Sequence, residues 1–201
     1  MTIEKGVPWG STAQTPADVV VVPDEATAAQ AVLRGEQCVV LQSGDLLRAL
    51  GGRAATITPQ RGSACRLLPC DVLRITLDDT TQITAVSSIV VGSWRHPRWW
   101  VTSGGFLGSL NVAPRAHPND GLADALTFGD GLDLRQLVAI RRRMKLGDHL
   151  PHPLLTMQRA GEVQWQHAQP ATVTIDGQRM GRVRSVRVVV QPDAFSLCVP
   201  E

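Results

Sequence analysis

No apolar stretch in this chain approaches the roughly 18 residues that a membrane-spanning helix needs, so no span is expected. The first ten residues are polar and carry no basic start followed by an apolar core, which argues against a signal peptide. Neither sign of charge dominates. The formal net charge is +2 with 19% charged residues, far from the basic footprint of a nucleic-acid binder, and none is expected as a partner. Tyrosine is missing, and the aromatics are five Trp and three Phe. Of the four cysteines, only Cys65 and Cys70 are close, and no second pair answers them, so the spacing does not describe a zinc site. Reduced, buried thiols in a cytoplasmic protein are the expectation. There is no internal repeat and no low-complexity tract.

What is present is enough apolar material (43%) for a buried core in 201 residues. Val19–Val22 and Cys38–Leu41 are continuous apolar runs of the kind buried on both faces in parallel sheets. Between them Pro23-Asp24-Glu25 opens a helix over Ala26–Arg34 that Gly35 stops. Ser43-Gly44-Asp45 turns the chain into a second short helix, Leu46–Leu50. This strand–helix–strand–helix unit gives way to period-two alternation from Asp71 onward. A hairpin turns at Asp78-Asp79-Thr80 and returns over Ile83–Val91, and Trp99–Thr102 is a further strand. Glycines over Ser103–Gly108 suggest close backbone approach. Asp133 caps an amphipathic helix over Leu134–Lys145. Five short strands follow: Leu154–Gln158, Glu162–Gln166, Ala171–Ile175, Val183–Val190 and Phe195–Val199, with Asp176-Gly177 as the clearest turn. The expected fold class is α+β: a small βαβα lobe over residues 1–55 and a large β-sandwich lobe over 56–201.

Near the middle, Asn119-Asp120-Gly121 makes a tight turn into an alternating run, Leu122, Asp124, Leu126, Phe128. Asp120 can close that turn through its own backbone or hold a cation or a basic side chain. His149 and His152 are three apart, but the prolines beside His152 exclude a regular helix, so they read as loop residues. Arg141, Arg142, Arg143 and Lys145 end the amphipathic helix, where cations favour the macrodipole. Together with Trp94, Arg95, Arg98, Trp99 and Trp100 the three arginines could instead rest on a lipid surface.

The order of these landmarks resembles the lipid-kinase family of diacylglycerol and sphingosine kinases, related more distantly to NAD kinase. Ala113-Pro114 through Asn119-Asp120-Gly121-Leu122 resembles that family's P-N-A…D-D-G-L turn. Thr174-Ile175-Asp176-Gly177 resembles its v-x-i-D-G-E, Gln191–Phe195 its closing strand, and Gly44–Gly51 the tail of its GTGND-L-AR-x-LG. The resemblance spans roughly residues 18–201 and implies a nucleotide lobe followed by a β-sandwich lobe.

The departures are as informative. Where the family has GGDGT, this chain has Pro23-Asp24-Glu25-Ala26-Thr27, keeping an acid and the Thr without the glycines that wrap a phosphate. Leu41-Gln42-Ser43 replaces Gly-Thr-Gly, so Thr27, Ser43, Gly44 and Asp45 are degenerate nucleotide-motif positions. Beside Asp176, Gln178 stands at the family's Glu, its general base, and an amide cannot take a proton. Only 18 residues precede Val19, so the family's first strands and helices are expected to have no counterpart. At Asp120 the resemblance implies magnesium held with the backbone carbonyls of His117 and Leu122. The expectation is therefore a lipid-kinase-like protein that does not bind ATP, is catalytically impaired, and binds a lipid or a protein partner, cytoplasmic and able to sit at a membrane. One alternative is an active kinase completed by another chain or a dimer mate, the exposed edge of a two-strand sheet favouring a dimer. Another is a purely structural interaction module.

Overall fold

A computed structural model describes residues 8–51 and 60–200. The boundary expected at residues 55 and 56 lies outside the described residues. The elements in chain order begin β1 (Ser11–Gln14), β2 (Val20–Val22), α1 (Glu25–Leu33), β3 (Cys38–Leu41) and α2 (Asp45–Ala49). There follow β4 (Ala64–Leu77), β5 (Thr81–Ala85), β6 (Ser88–Gly92), β7 (Pro97–Thr102), β8 (Phe106–Leu107), β9 (Leu110–Asn111) and β10 (Ala123–Phe128). The last are α3 (Leu134–Met144), β11 (Leu155–Ala160), β12 (Glu162–Ile175) and β13 (Gln178–Pro200). The fold is α+β and dominated by one large, strongly connected sheet.

That sheet runs β1-β4-β13-β12-β6-β7-β10-β11, with β5 on β4 and the parallel pair β2–β3 joined through β3 to β13. β13 is its spine. Its first half pairs with β12 and β4, and its last residues pair with β4 on one side and, in parallel, with β3 on the other. The βαβα segment is therefore not a separate sheet but an extension of the sandwich's longest strand.

Two expectations of strand length are corrected. Glu162–Gln166 and Ala171–Ile175 are one strand, β12, with an irregularity between Gln166 and Ala171. Val183–Val190 and Phe195–Val199 are likewise one strand, β13, interrupted only between Gln191 and Phe195. Turn-forming residues lie at those interruptions, and the ladder runs on past them. Conversely, Ile83–Val91 is two strands. β5 completes the hairpin with β4, whereas β6 pairs with β7 and β12. The chain crosses between those positions at Val86-Ser87, both buried. The Asp176-Gly177 turn is a two-residue loop between Ile175 and Gln178, with both central residues at positive φ (44° and 79°), the geometry that matches strand twist.

Three cores follow from the layers. The sandwich interior packs Leu73, Ile75, Ile89, Trp99, Val101 and Val188. α1 and α2 cover Val39, Leu41, Val72 and Leu197. α3 lays Leu137, Ile140 and Met144 on Trp100, Leu126 and Phe128. β10 is consequently covered on both faces, so the alternation at Leu122–Phe128 does not mark an exposed face; of Ala123–Phe128 only Thr127 is exposed. The four cysteines are buried and free. Among the described residues no helix is long and apolar enough to cross a membrane.

α3 begins with a reciprocal cap. Asp133 Oδ1 accepts the Gln136 N–H at 2.7 Å, and the Gln136 side chain accepts the Asp133 N–H at 3.0 Å. Replacing Asp133 with Ala should lower stability to urea by about 1 kcal/mol, and Asp133→Ser should recover most of it. Equal stability of the Ala variant and the parent would show that packing alone defines the start of this helix.

Candidate functional site

The loops that leave β2 and β3 lie side by side, and their side chains are committed to one another. Asp24 caps α1: its Oδ1 accepts both the backbone N–H and the hydroxyl of Thr27, at 2.8 and 2.7 Å, which hold the Asp24 carboxyl below its ordinary value. Thr27 thus has its hydroxyl proton engaged within its own turn. The Ser43 hydroxyl donates to the Pro23 carbonyl at 2.6 Å and ties the two loops together. Gly44 precedes α2 at φ 137°, and a side chain there would meet the Glu25 carboxylate, 2.4 Å from where its Cβ would be. Asp45 Oδ1 accepts the Gly108 N–H at 2.8 Å and pins the β8–β9 hairpin to α2.

Glu25 is the residue that sequence reasoning passed over. It is 9% exposed, and its Oε1 accepts the Leu46 N–H at 2.7 Å, at the start of α2. Burial pushes its pKa up to about 7 against the Leu46 amide, and the negative charges of Asp45 and Asp176 add to the rise. The available signal was its place: it is the third residue of Pro23–Thr27, the acid kept from GGDGT, and the first residue of a helix.

Asp176 reaches the same region from the β12–β13 turn. Its Oδ2 accepts the Val86 N–H at 2.8 Å, and its Oδ1 accepts those of Ser87 and Ser88 at 3.1 and 2.8 Å. Burial raises its pKa to about 6, opposed by those three amides, and Asp45 adds to the rise. The carboxylate is a clamp on the break between β5 and β6. Gln178, two residues on, is exposed at the start of β13. The structure therefore gathers Glu25, Asp45 and Asp176 into one acidic cluster where the α/β segment meets the sandwich.

The Asn119-Asp120-Gly121 turn is a second focus. Asp120 Oδ1 accepts the Leu122 N–H at 2.9 Å, and Oδ2 pairs with Arg159. Arg159 also lies 3.7 Å from Asp124, whose pKa burial raises to about 6. His117 accepts the Asn119 N–H on Nδ1 at 3.2 Å and packs edge-on against Trp9, and burial lowers its pKa. The residues present do not fit magnesium at Asp120. Both carboxylate oxygens are engaged, and a guanidinium holds the position where a hard cation would need open oxygen ligands. Asp71, a buried carboxylate of β4, organises this turn. It accepts from Gly121 N–H (2.8 Å), Asp193 N–H (3.0 Å) and the Asn119 side chain (3.2 Å). Its own N–H donates to the Pro118 carbonyl at 2.8 Å. Burial raises its pKa despite these donors.

Residues 70–199 match the family described as the YegS C-terminal NAD kinase beta sandwich-like domain. The chain belongs to this family. No curated protein matches it. Among solved structures, a diacylglycerol kinase from Bacillus anthracis str. Sterne is 12% identical with a TM-score of 0.59, over 90% of this chain and 76% of that one. Two further chains from the same organism, also 12% identical, give TM-scores of 0.60 and 0.62 over 92% and 90% of this chain and 78% of theirs. At that identity the likeness is one of fold. The YegS-type match takes in Asp71, Asp120 and Asp176, three carboxylates that accept from backbone amides. It begins after Glu25 and Asp45.

Of the residues expected at a lipid surface, Trp99 and Trp100 are 2% and 4% exposed and Arg141 is 6%, whereas Trp94 is 65% exposed. Trp99 belongs to the sandwich interior and Trp100 to the layer under α3, because β7 is a central strand covered on both faces. Arg95, Arg142 and Arg143 remain outward, and Arg98 is half-buried.

Two outcomes follow. Glu25 keeps its proton in the folded state up to about pH 7, whereas the unfolded chain releases it near 4.5, so its contribution to stability declines as pH rises through that window. Glu25→Gln should therefore gain on the parent by up to roughly 3 kcal/mol between pH 4.5 and 7 and hold level above, in urea titrations across pH. A constant difference would mean that Glu25 is not buried as described. Removal of the Asp71 carboxylate in Asp71→Ala strands two backbone N–H groups and takes one of two acceptors from the Asn119 amide, which also donates to Asp193, and should cost on the order of 3 kcal/mol. A loss below about 0.5 kcal/mol, the ordinary surface value, would contradict its role as organiser.

Proposed function

We propose that this chain is a lipid-kinase-like binding protein that carries out no phosphoryl transfer of its own. The observation that carries this reading is the Glu25 carboxylate on the Leu46 amide. A helix N-terminus after a glycine turn is where a phosphate would sit, because its free N–H groups and dipole favour an anion. Here a resident carboxylate takes that place at 2.7 Å, and two more acids stand near it. A nucleotide phosphate entering this site would meet the negative charge of Asp45 and Asp176 and would have to displace the Glu25 carboxyl. The neighbouring groups add to this: the Thr27 and Ser43 hydroxyls are engaged locally, and the position of the family's general base carries the amide of Gln178. What remains is the sandwich lobe with its clefts, which supports binding of a lipid at a membrane surface, with Trp94, Arg95, Arg142 and Arg143 outward.

A ligand that binds the folded state alone raises the melting temperature. Magnesium with ATP or ADP should leave the melting temperature unchanged, and incubation with diacylglycerol and Mg-ATP should release no ADP above a no-enzyme control. Turnover by the chain alone, or a nucleotide-dependent rise in melting temperature, would overturn the reading. A response that requires a second polypeptide would instead establish a kinase completed by a partner.

A further inference from the structure

A groove crosses the sandwich where β7, β6, β12 and β13 lie in register. Trp100 is opposite Val90, Val90 opposite Thr174, and Thr174 opposite Arg179, a single cross-strand row that passes from indole to guanidinium. A second pair, Thr172 opposite Arg182, runs beside it. Gly92, Ser93 and the two threonines are small, and the floor they make is deep. Two adjoining clefts of about 420 and 280 Å3 share Gly92, Ser93, Thr172 and Arg179. The larger is walled by Val90, Trp94, Trp100, Leu107 and Leu110; the smaller by His96, Arg98, Arg179 and Arg182. No acidic residue lines either one.

The polar groups around this groove are incompletely used. The indole N–H of Trp100, which lines the larger cleft, is buried without an acceptor. Arg141, 6% exposed, stacks on the Trp94 ring at 3.5 Å and donates to the Trp94 carbonyl, yet its Nε has no partner, and among the described residues it meets no carboxylate. Of the cations in the smaller cleft, Arg98 is neutralised by Asp130 at 2.9 Å, and Arg182 donates to the Pro170 carbonyl at 2.7 Å. Arg179 and Arg182 face no carboxylate among the described residues.

We propose that this groove holds a single-chain phosphomonoester lipid, its acyl chain against Trp94, Trp100, Leu107 and Leu110 and its phosphate between Arg179 and Arg182. The proposal rests on the lipid-binding reading above and names the ligand and its orientation. An apolar trough open to a cationic end selects an anionic amphiphile, and two unneutralised guanidiniums suit a phosphomonoester, whose oxygens accept paired N–H donors. The orientation follows from charge. The β8–β9 hairpin that carries Leu107 and Leu110 is pinned by Gly108 to Asp45, so the apolar end adjoins that carboxylate, which repels a phosphate. The headgroup is thereby held at the Arg179 and Arg182 end of the groove, away from Asp45.

The full chain is titrated with palmitoyl lysophosphatidate below its micelle concentration, followed by calorimetry and by intrinsic tryptophan fluorescence. Saturable one-to-one binding is expected, with an indole signal that is lost in Trp94→Phe. The same chain on a phosphocholine headgroup should bind roughly tenfold more weakly or worse, as should the double variant Arg179→Gln, Arg182→Gln, while Arg179→Lys retains part of the affinity. Both arginines are exposed, and melting curves verify that the variants fold. Equal affinity for the two headgroups, an unaffected double variant, glycerol phosphate binding as tightly as the lipid, or binding to anionic bilayer vesicles alone would each overturn the proposal. ADP release from Mg-ATP in parallel would overturn the preceding reading and leave the groove intact. Silence toward the lipid, with no nucleotide response, would overturn the groove alone.

Discussion

The Asp176 carboxylate on the amides of Val86, Ser87 and Ser88 is the contact that holds the crossing between β5 and β6. It satisfies three backbone N–H groups at the point where the chain leaves β5, paired with β4, and enters β6, between β7 and β12. Without an acceptor there, the crossing would bury three unpaired donors. The clamp also fixes where negative charge accumulates. α1 packs on β5, so the Glu25 carboxylate at its first turn is buried, and that burial, helped by the charges of Asp45 and Asp176, holds its proton on toward neutral pH. The acidity of the junction is thus a by-product of how the backbone is satisfied.

Asp71 plays the corresponding part at the other turn. It joins the kink in β13 near Asp193 to the Asn119–Gly121 turn, and Asp120 then turns outward to Arg159. In both places a buried carboxylate binds backbone amides. Each of these acids therefore has a structural role that is independent of any reaction.

Much of the fold could be read from residue pattern. Cys38–Leu41, the Asp133 cap and the Asp176-Gly177 turn depend on local chemistry, and they stand where their residues place them. The lengths of β12 and β13 were not legible, because turn-forming residues inside them are tolerated as irregularities by ladders on both sides. Whether Trp99 and Trp100 belong to the core or to a lipid-facing surface is decided only when β7 is seen to be a central strand covered on both faces. Glu25 and Asp71 escaped for a common reason. Each is a single acid whose partners, Leu46 and Asp193 among them, lie 21 and 122 residues away, and no local pattern announces such a bond. The groove is of the same kind, since the row Trp100–Val90–Thr174–Arg179 exists only once four strands are in register.

The proposed function depends on the Glu25 carboxyl occupying the Leu46 amide at the start of α2. The measurement that bears on this most directly is the amide resonance of Leu46 in a 1H–15N spectrum. It should titrate with a midpoint near pH 7 as Glu25 ionises, lose that titration in Glu25→Gln, and stay in place when Mg-ATP is added. A Leu46 amide that ignores pH in this range, or that moves in saturable fashion with Mg-ATP, would contradict the account.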